Sequence, residues 1–222
     1  MPRLRDVPLF PLGIVLLPGE VLPLRIFEPR YREMVARCLA GPEPFCVVHA
    51  DDDGMRAVGC LAVGLEVVER FDDGRLSIVV TGGEPIQIER VDEDAHPYLA
   101  ADGVTIEDDD ERASSEAVEQ ALDAYRDLVD VAEGGEGPPE PEAGSRLSYE
   151  IAGRIDFGPE VKQRLLEARS EPRRLNDVIE LVVRATKAVR TASAVSARAH
   201  TNGRVSPPDE IEADGPPAPG DG

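Results

Sequence analysis

Tryptophan is absent, and aromatic residues make up only 4% of the 222-residue chain. With 41% hydrophobic residues, a core is within reach, but it must be built mainly from aliphatic side chains. Lysine is almost missing. Lys162 and Lys187 stand alone, and arginine supplies the remaining basic groups. Positive charge is scarce overall: 24 basic residues face 44 acidic ones, for a net charge of −20. Such a chain repels phosphate backbones, which disfavours general nucleic-acid binding. The cysteines, Cys38, Cys46 and Cys60, are odd in number and form no C-x-x-C pair. They read as buried free thiols in a reducing cytoplasm. No apolar run approaches the roughly 18 residues of a membrane span. Arg3 and Arg5 precede an apolar stretch as in a signal peptide, but Asp6 and repeated prolines interrupt it and no small-residue cleavage site follows. The expectation is a soluble cytoplasmic protein without membrane contact.

Catalytic signatures are missing as well. There is no G-x-S-x-G elbow and no G-x-x-x-x-G-K-[ST] phosphate loop. A lysine base must be desolvated, and neither Lys162, on an amphipathic helix, nor Lys187 suggests that. His49 lies beside Asp51, Asp52 and Asp53, which raises a metal site or general base. The spacing matches no finger, EF-hand or H-E-x-x-H pattern, so the competing reading is a hairpin turn with solvated carboxylates. His96 and His200 show no partner in the sequence. The acidic run from Asp108 to Glu111 reads as a solvated loop. Arg164, Arg169, Arg173 and Arg174 read as interspersed surface charge. No metal or cofactor is expected.

What is present begins with PLFPLGIVLLPGEVLPLRIFEPRYREMV, from Pro8 to Val35. Pro8, Pro11, Pro18 and Pro23 forbid a single helix and argue against a central strand. Short extended pieces remain, Val7 to Phe10 and Glu20 to Ile26, joined by a Pro18-Gly19 turn. Pro29 suits the first turn of a helix reaching Leu39, with Tyr31, Met34, Val35 and Cys38 on one face. Further strands follow: Phe45 to His49, Val58 to Val68, Leu76 to Val80, Ile86 to Val91, and one within Pro97 to Ile106. Over Val58 to Val68, Leu61, Val63, Leu65 and Val67 alternate onto one face. Asp73-Gly74 makes a hairpin turn, and Gly82-Gly83 is expected to break the strand after it. This spacing argues for a small barrel or sandwich.

After Asp110 the period changes. Val118, Ala121, Leu122, Tyr125, Leu128 and Val129 share a helix face, with Ser114 or Ser115 as cap. GGEGPPEPEAG, residues 134–144, reads as a flexible connector. Helices restart at Leu147, at Pro159 and at Pro172. From Ala199 the chain is polar and proline-rich, and disorder is expected over 199–222.

The matching positions Pro8, Leu9, Phe10, Pro11, Leu12, Pro18, Gly19, Leu22, Pro23, Leu24, Phe27, Glu28, Arg30 and Tyr31 resemble the opening of the Lon protease N-terminal, substrate-binding domain. KQRLLE, residues 162–167, followed by Arg174-Leu175, resembles that family's late helical signature. The chain is most similar to the stand-alone version. The resemblance implies an α+β fold: a small antiparallel PUA-like β-barrel over residues 1–110, then a helical subdomain over 111–198. It implies a non-catalytic recognition module without the ATPase or Ser-Lys protease parts. Its partners would be unfolded or partly unfolded protein segments, or a partner protein. Tyr98, Tyr149 and Phe157, near boundaries between barrel and helices, are the candidates for a groove floor. Two other readings stand beside it: a hydrolase or metal-dependent enzyme using His49 and its carboxylates, and an RNA-binding PUA-like protein, which the charge opposes.

Overall fold

Proline placement explains the first strand. In the computed structural model, which describes residues 2–41, 43–134, 137–144 and 146–202, β1 (Arg3–Leu12) carries Pro8 and Pro11 yet lies inside the sheet. It manages this by changing partner. Arg3 to Pro8 pair antiparallel with β7 (Ala100–Thr105), and Leu9 to Leu12 pair parallel with β3 (Phe45–Asp51). Each half has a single ladder, so a proline nitrogen turned away from that ladder forfeits no hydrogen bond. The expected exclusion of this segment from the sheet interior is corrected on that ground.

The other strands are β2 (Val21–Ile26), β4 (Gly54–Met55), β5 (Val58–Arg70) and β6 (Leu76–Asp92). The seven-stranded sheet runs β1-β7-β6-β5-β3-β4, with β2 off this path on β6. It is not the closed antiparallel barrel that was expected. One pairing, β1 with β3, is parallel and spans only the register pairs Leu9–Cys46 to Leu12–His49. Val7, Leu9, Cys46, Val48, Leu61, Ile86 and Ala101 pack together on one face. Alternate residues of the same strands, among them Phe10, Val47 and Cys60, join the larger core against the helices.

Two local expectations fail for identifiable reasons. β6 passes unbroken through Gly82-Gly83. Gly82 serves close approach: a Cβ there would overlap the carbonyl oxygen of Leu17, while its N–H donates to Glu20 O at 2.8 Å. In β5 the alternation is interrupted. Cys60 and Ala62 face the main core, and so do Leu65 and Val67 further along. A register shift between Val63 and Glu66, with Gly64 at φ +62°, turns the strand over. One extra residue exchanges the two faces, so Val63 is exposed where it was expected inside.

The helices are α1 (Pro29–Ala40), α2 (Ser115–Glu133), α3 (Leu147–Gly153), α4 (Pro159–Glu167) and α5 (Glu171–Asn202). Pro29 and Pro159 sit in first turns, where a missing N–H is harmless. The Ser114 hydroxyl accepts the Ala117 N–H at 3.2 Å, capping α2. Ala121, Ala124, Tyr125 and Leu128 bury the inner face of α2, beside Leu175, Val178 and Val182 of α5. α5 runs to Asn202, past the expected start of the tail; residues 203–222, and Gly135, Glu136 and Ser145 of the connector region, lie outside the described residues. No helix among the described residues is long and apolar enough to cross a membrane.

Candidate recognition surface

β2, the first half of β6 and the second half of β5 form a three-stranded arm. Its register puts Val63, Thr81 and Val21 in one row, Glu66, Val79 and Pro23 in the next, and Glu69, Ser77 and Arg25 in the third. The intervening residues Leu24, Ile26, Leu76 and Ile78 are buried in the main core. The outer face is open. Val21 is 61% exposed and Val68 66%. At the far end Phe27, 63% exposed, follows Ile26, and the Phe71 N–H donates to Arg75 O at 3.0 Å. The Arg75 guanidinium lies 5.2 Å from the Phe71 ring. Apart from Ile14, Leu39 and Val183, the large exposed apolar side chains among the described residues all belong to this arm. Scattered apolar exposure is ordinary; a gathering on one face marks an interaction site.

Both long edges of the arm are unpaired among the described residues. β2 pairs only with β6, and the β3 ladder on β5 ends at the pair Phe45–Ala62. Beyond it, a cleft of about 400 Å³ lies between the end of α1 and Ala62 to Glu66.

The aromatic candidates fall in separate places. Tyr98 is buried; its ring stacks on His96 at 5.0 Å, and its hydroxyl accepts from Arg37 at 3.4 Å. Tyr149 is buried under the Arg174 guanidinium, 3.8 Å above its ring, and donates to Leu165 O. Burial pushes the Tyr149 phenol up, against the pull of Arg174. Phe157 is half-buried between α3 and α4. None of the three lines the α1–β5 cleft.

Arg174, expected on the surface, is fully buried. It donates to Asp108 at 3.0 and 2.6 Å, to Glu171 at 2.7 Å, to Ser148 Oγ at 2.7 Å and to Ala168 O at 2.7 Å. Burial alone would lower its pKa, but Asp108, Tyr149 and Glu171 together raise it. Asp108 is thereby a structural anchor rather than part of a solvated loop. Lys162 also departs from expectation. It is 12% exposed and meets Glu20 at 2.6 Å, tying α4 to the turn before β2. Both groups sit where a basic residue precedes or follows apolar ones, a weak signal that helical periodicity alone could have raised.

His49 is buried, with Nε2 3.2 Å from Asp51 Oδ2 and Nδ1 unpartnered. Asp51 is engaged by Arg56 at 2.8 Å. No cluster of three metal-ligating side chains occurs among the described residues. His96 has partners the sequence did not reveal: Nε2 lies 2.9 Å from Asp6 and 3.1 Å from Arg37. All three thiols are free and buried. Burial pushes Cys46 up to about 12 and Cys38, despite Arg37, up to about 11.

Compared with known families, residues 6–184 match the ATP-dependent protease La (LON) substrate-binding domain. Among solved structures, the chain is similar to a Lon N-terminal domain protein from Xanthomonas campestris, with 24% identity and a TM-score of 0.63 over 80% of this chain and 98% of that one. It is also similar to the N-terminal domain of a Mycobacterium avium complex Lon protease, with 18% identity and a TM-score of 0.58 over 80% and 98%. The structural likeness speaks for the fold, and the match over most of the length speaks for the family: the chain belongs to the LON substrate-binding domain family.

Proposed function

We propose that this chain is a non-catalytic recognition module that holds exposed apolar stretches of unfolded or partly unfolded proteins on the outer face of the β2–β6–β5 arm. The observation that carries this is the gathering of exposed Val21, Val63 and Val68 on the strands of one open arm, with exposed Phe27 and Phe71 directly after two of those strands. Full burial of side chains of this size stabilises by about 1.5–3 kcal/mol each, so a few of them suffice for a reversible complex. The family description, substrate binding for an ATP-dependent protease, supports the same role. The net charge of −20 disfavours nucleic acid as a partner. The buried unpaired thiols support a cytoplasmic setting. Tyr98, Tyr149 and Phe157 keep their proposed place at the floor of a groove between sheet and helices, where the burial of the first two suits support rather than ligand contact.

The test is titration with a permanently unfolded, carboxymethylated polypeptide. Phe27→Ser combined with Phe71→Ser should weaken binding at least tenfold while leaving the unfolding midpoint unchanged. Equal affinity in the variant would remove the arm from the account.

A further inference from the structure

The cleft beside α1 has an unusual lining. Ala62, Val63, Gly64, Leu65 and Glu66 all contribute to it. Ala62 and Leu65 face the main core while Val63 and Glu66 are exposed, so a cleft touched by all of them lies along the strand's edge rather than over either face. That edge is open, because the β3 ladder stops at Ala62 and no described strand replaces it. In any strand half of the backbone N–H and C=O groups point toward such an edge. The opposite wall is apolar: Cys38 and Leu39 at the end of α1, and Pro44. Leu39 is 40% exposed.

Charge narrows the occupant. The charged residues lining the cleft are Glu43 and Glu66, with no lysine or arginine. Glu43 meets Arg37 at 3.3 Å, whereas Glu66 makes no ion pair among the described residues. A second copy of the chain would bring its own net charge of −20 and a matching glutamate to the same edge. The register shifts along β5 also twist this edge away from flat pairing with another sheet. A single extended segment carrying positive charge escapes the first obstacle and, as one flexible strand rather than a rigid sheet, can follow the twisted edge.

We propose that the α1–β5 cleft binds an extended peptide segment with alternating apolar and basic side chains, which adds as a strand to the open edge Val63 to Arg70. This rests on the recognition role proposed above and names its mode and ligand chemistry. The main-chain groups of the segment pair with the edge, its apolar side chains meet Leu39 and Pro44, and its basic ones meet Glu66.

The probe is a fluorescein-labelled peptide as long as that edge, alternating valine and arginine, measured by anisotropy against the whole chain. It should bind at least tenfold tighter than the same peptide with glutamate for arginine. Glu66→Arg, an exposed substitution, should cost severalfold in affinity. N-methylation of one alternate set of peptide amides should abolish binding, and methylation of the other set should not. Amide exchange should slow over residues 63–70. Indifference to both methylations and to Glu66→Arg, or protection elsewhere, overturns the edge assignment; if the unfolded polypeptide still binds, the recognition role survives. Loss of all binding to the unfolded polypeptide strikes that role instead. Concentration-dependent dimers of the chain alone, with protection over the same edge, would also overturn the peptide assignment.

Discussion

Replacing Arg174 by alanine should be among the most damaging single changes in the molecule. The side chain is fully buried and binds four separate parts of the fold: Asp108 after β7, Ser148 on α3, Ala168 at the end of α4 and Glu171 at the start of α5. Removing it leaves the Glu171 carboxylate, 6% exposed, and the Asp108 carboxylate, 23% exposed, without a cation. Ser148 partly compensates, since its N–H and hydroxyl both donate to Glu171 at 3.0 and 2.6 Å. Breaking a buried pair in this way costs about 3–5 kcal/mol, most of it from the uncompensated charge. For a domain of this size that is a fall of roughly 6–20 °C in Tm. Arg174→Lys should recover only part of it, because an ammonium has no planar fork of two nitrogens to meet both Asp108 oxygens and cannot lie flat on Tyr149. Urea unfolding followed by circular dichroism measures the difference. A loss below about 1 kcal/mol for Arg174→Ala would refute the reasoning, since that is the value of an exposed pair.

Native thiols should react slowly with Ellman's reagent at about pH 8, because burial holds Cys46 near 12 and Cys38 near 11, and all three should react on unfolding; a fast native thiol would contradict the packing. Gly82→Ala should destabilise by about 1–3 kcal/mol, since the added methyl meets the Leu17 carbonyl, and denaturant titration would show it. Acid should weaken the fold through specific carboxylates. Asp102 is held low by Arg90 and the Asp6 N–H, and Asp92 by the N–H groups of Asp94 and Ala95. Their contribution is fully present above the ordinary carboxylate value of about 4 and is lost as pH falls through the lowered folded values. Tm should therefore drop below about pH 4, and Asp102→Asn should flatten that drop.

Local signals in the sequence were strong where one residue type decides the outcome. Pro29 opening α1, Ser114 capping α2 and the Asp73-Gly74 turn are all visible without a structure. The fold diverged where distant segments decide. Nothing local says that β1 would leave β7 for a parallel contact with β3, which is how Pro11 fits inside the sheet. Gly64 looked like one more small residue in an alternating strand, yet its left-handed φ reverses the strand and exposes Val63. Glycine at position 82 read as a breaker, because the Leu17 carbonyl that requires it is far away in sequence. Arg174 was grouped with its solvated neighbours, since burial of one arginine among several depends on Asp108 and Tyr149 arriving from elsewhere. The proposed recognition surface was legible only as composition. That Val21 and Val63 share a row, and that Phe27 and Phe71 follow the strand ends that both meet Leu76, comes from pairing between distant segments, which the sequence does not print.

The most direct test of recognition through the open arm is amide hydrogen exchange across the whole chain, with and without saturating unfolded polypeptide. Protection should appear over residues 21–27 and 63–71 and leave α2 and α5 unchanged. Protection confined to the helices, with the arm exchanging as in the free protein, would contradict it.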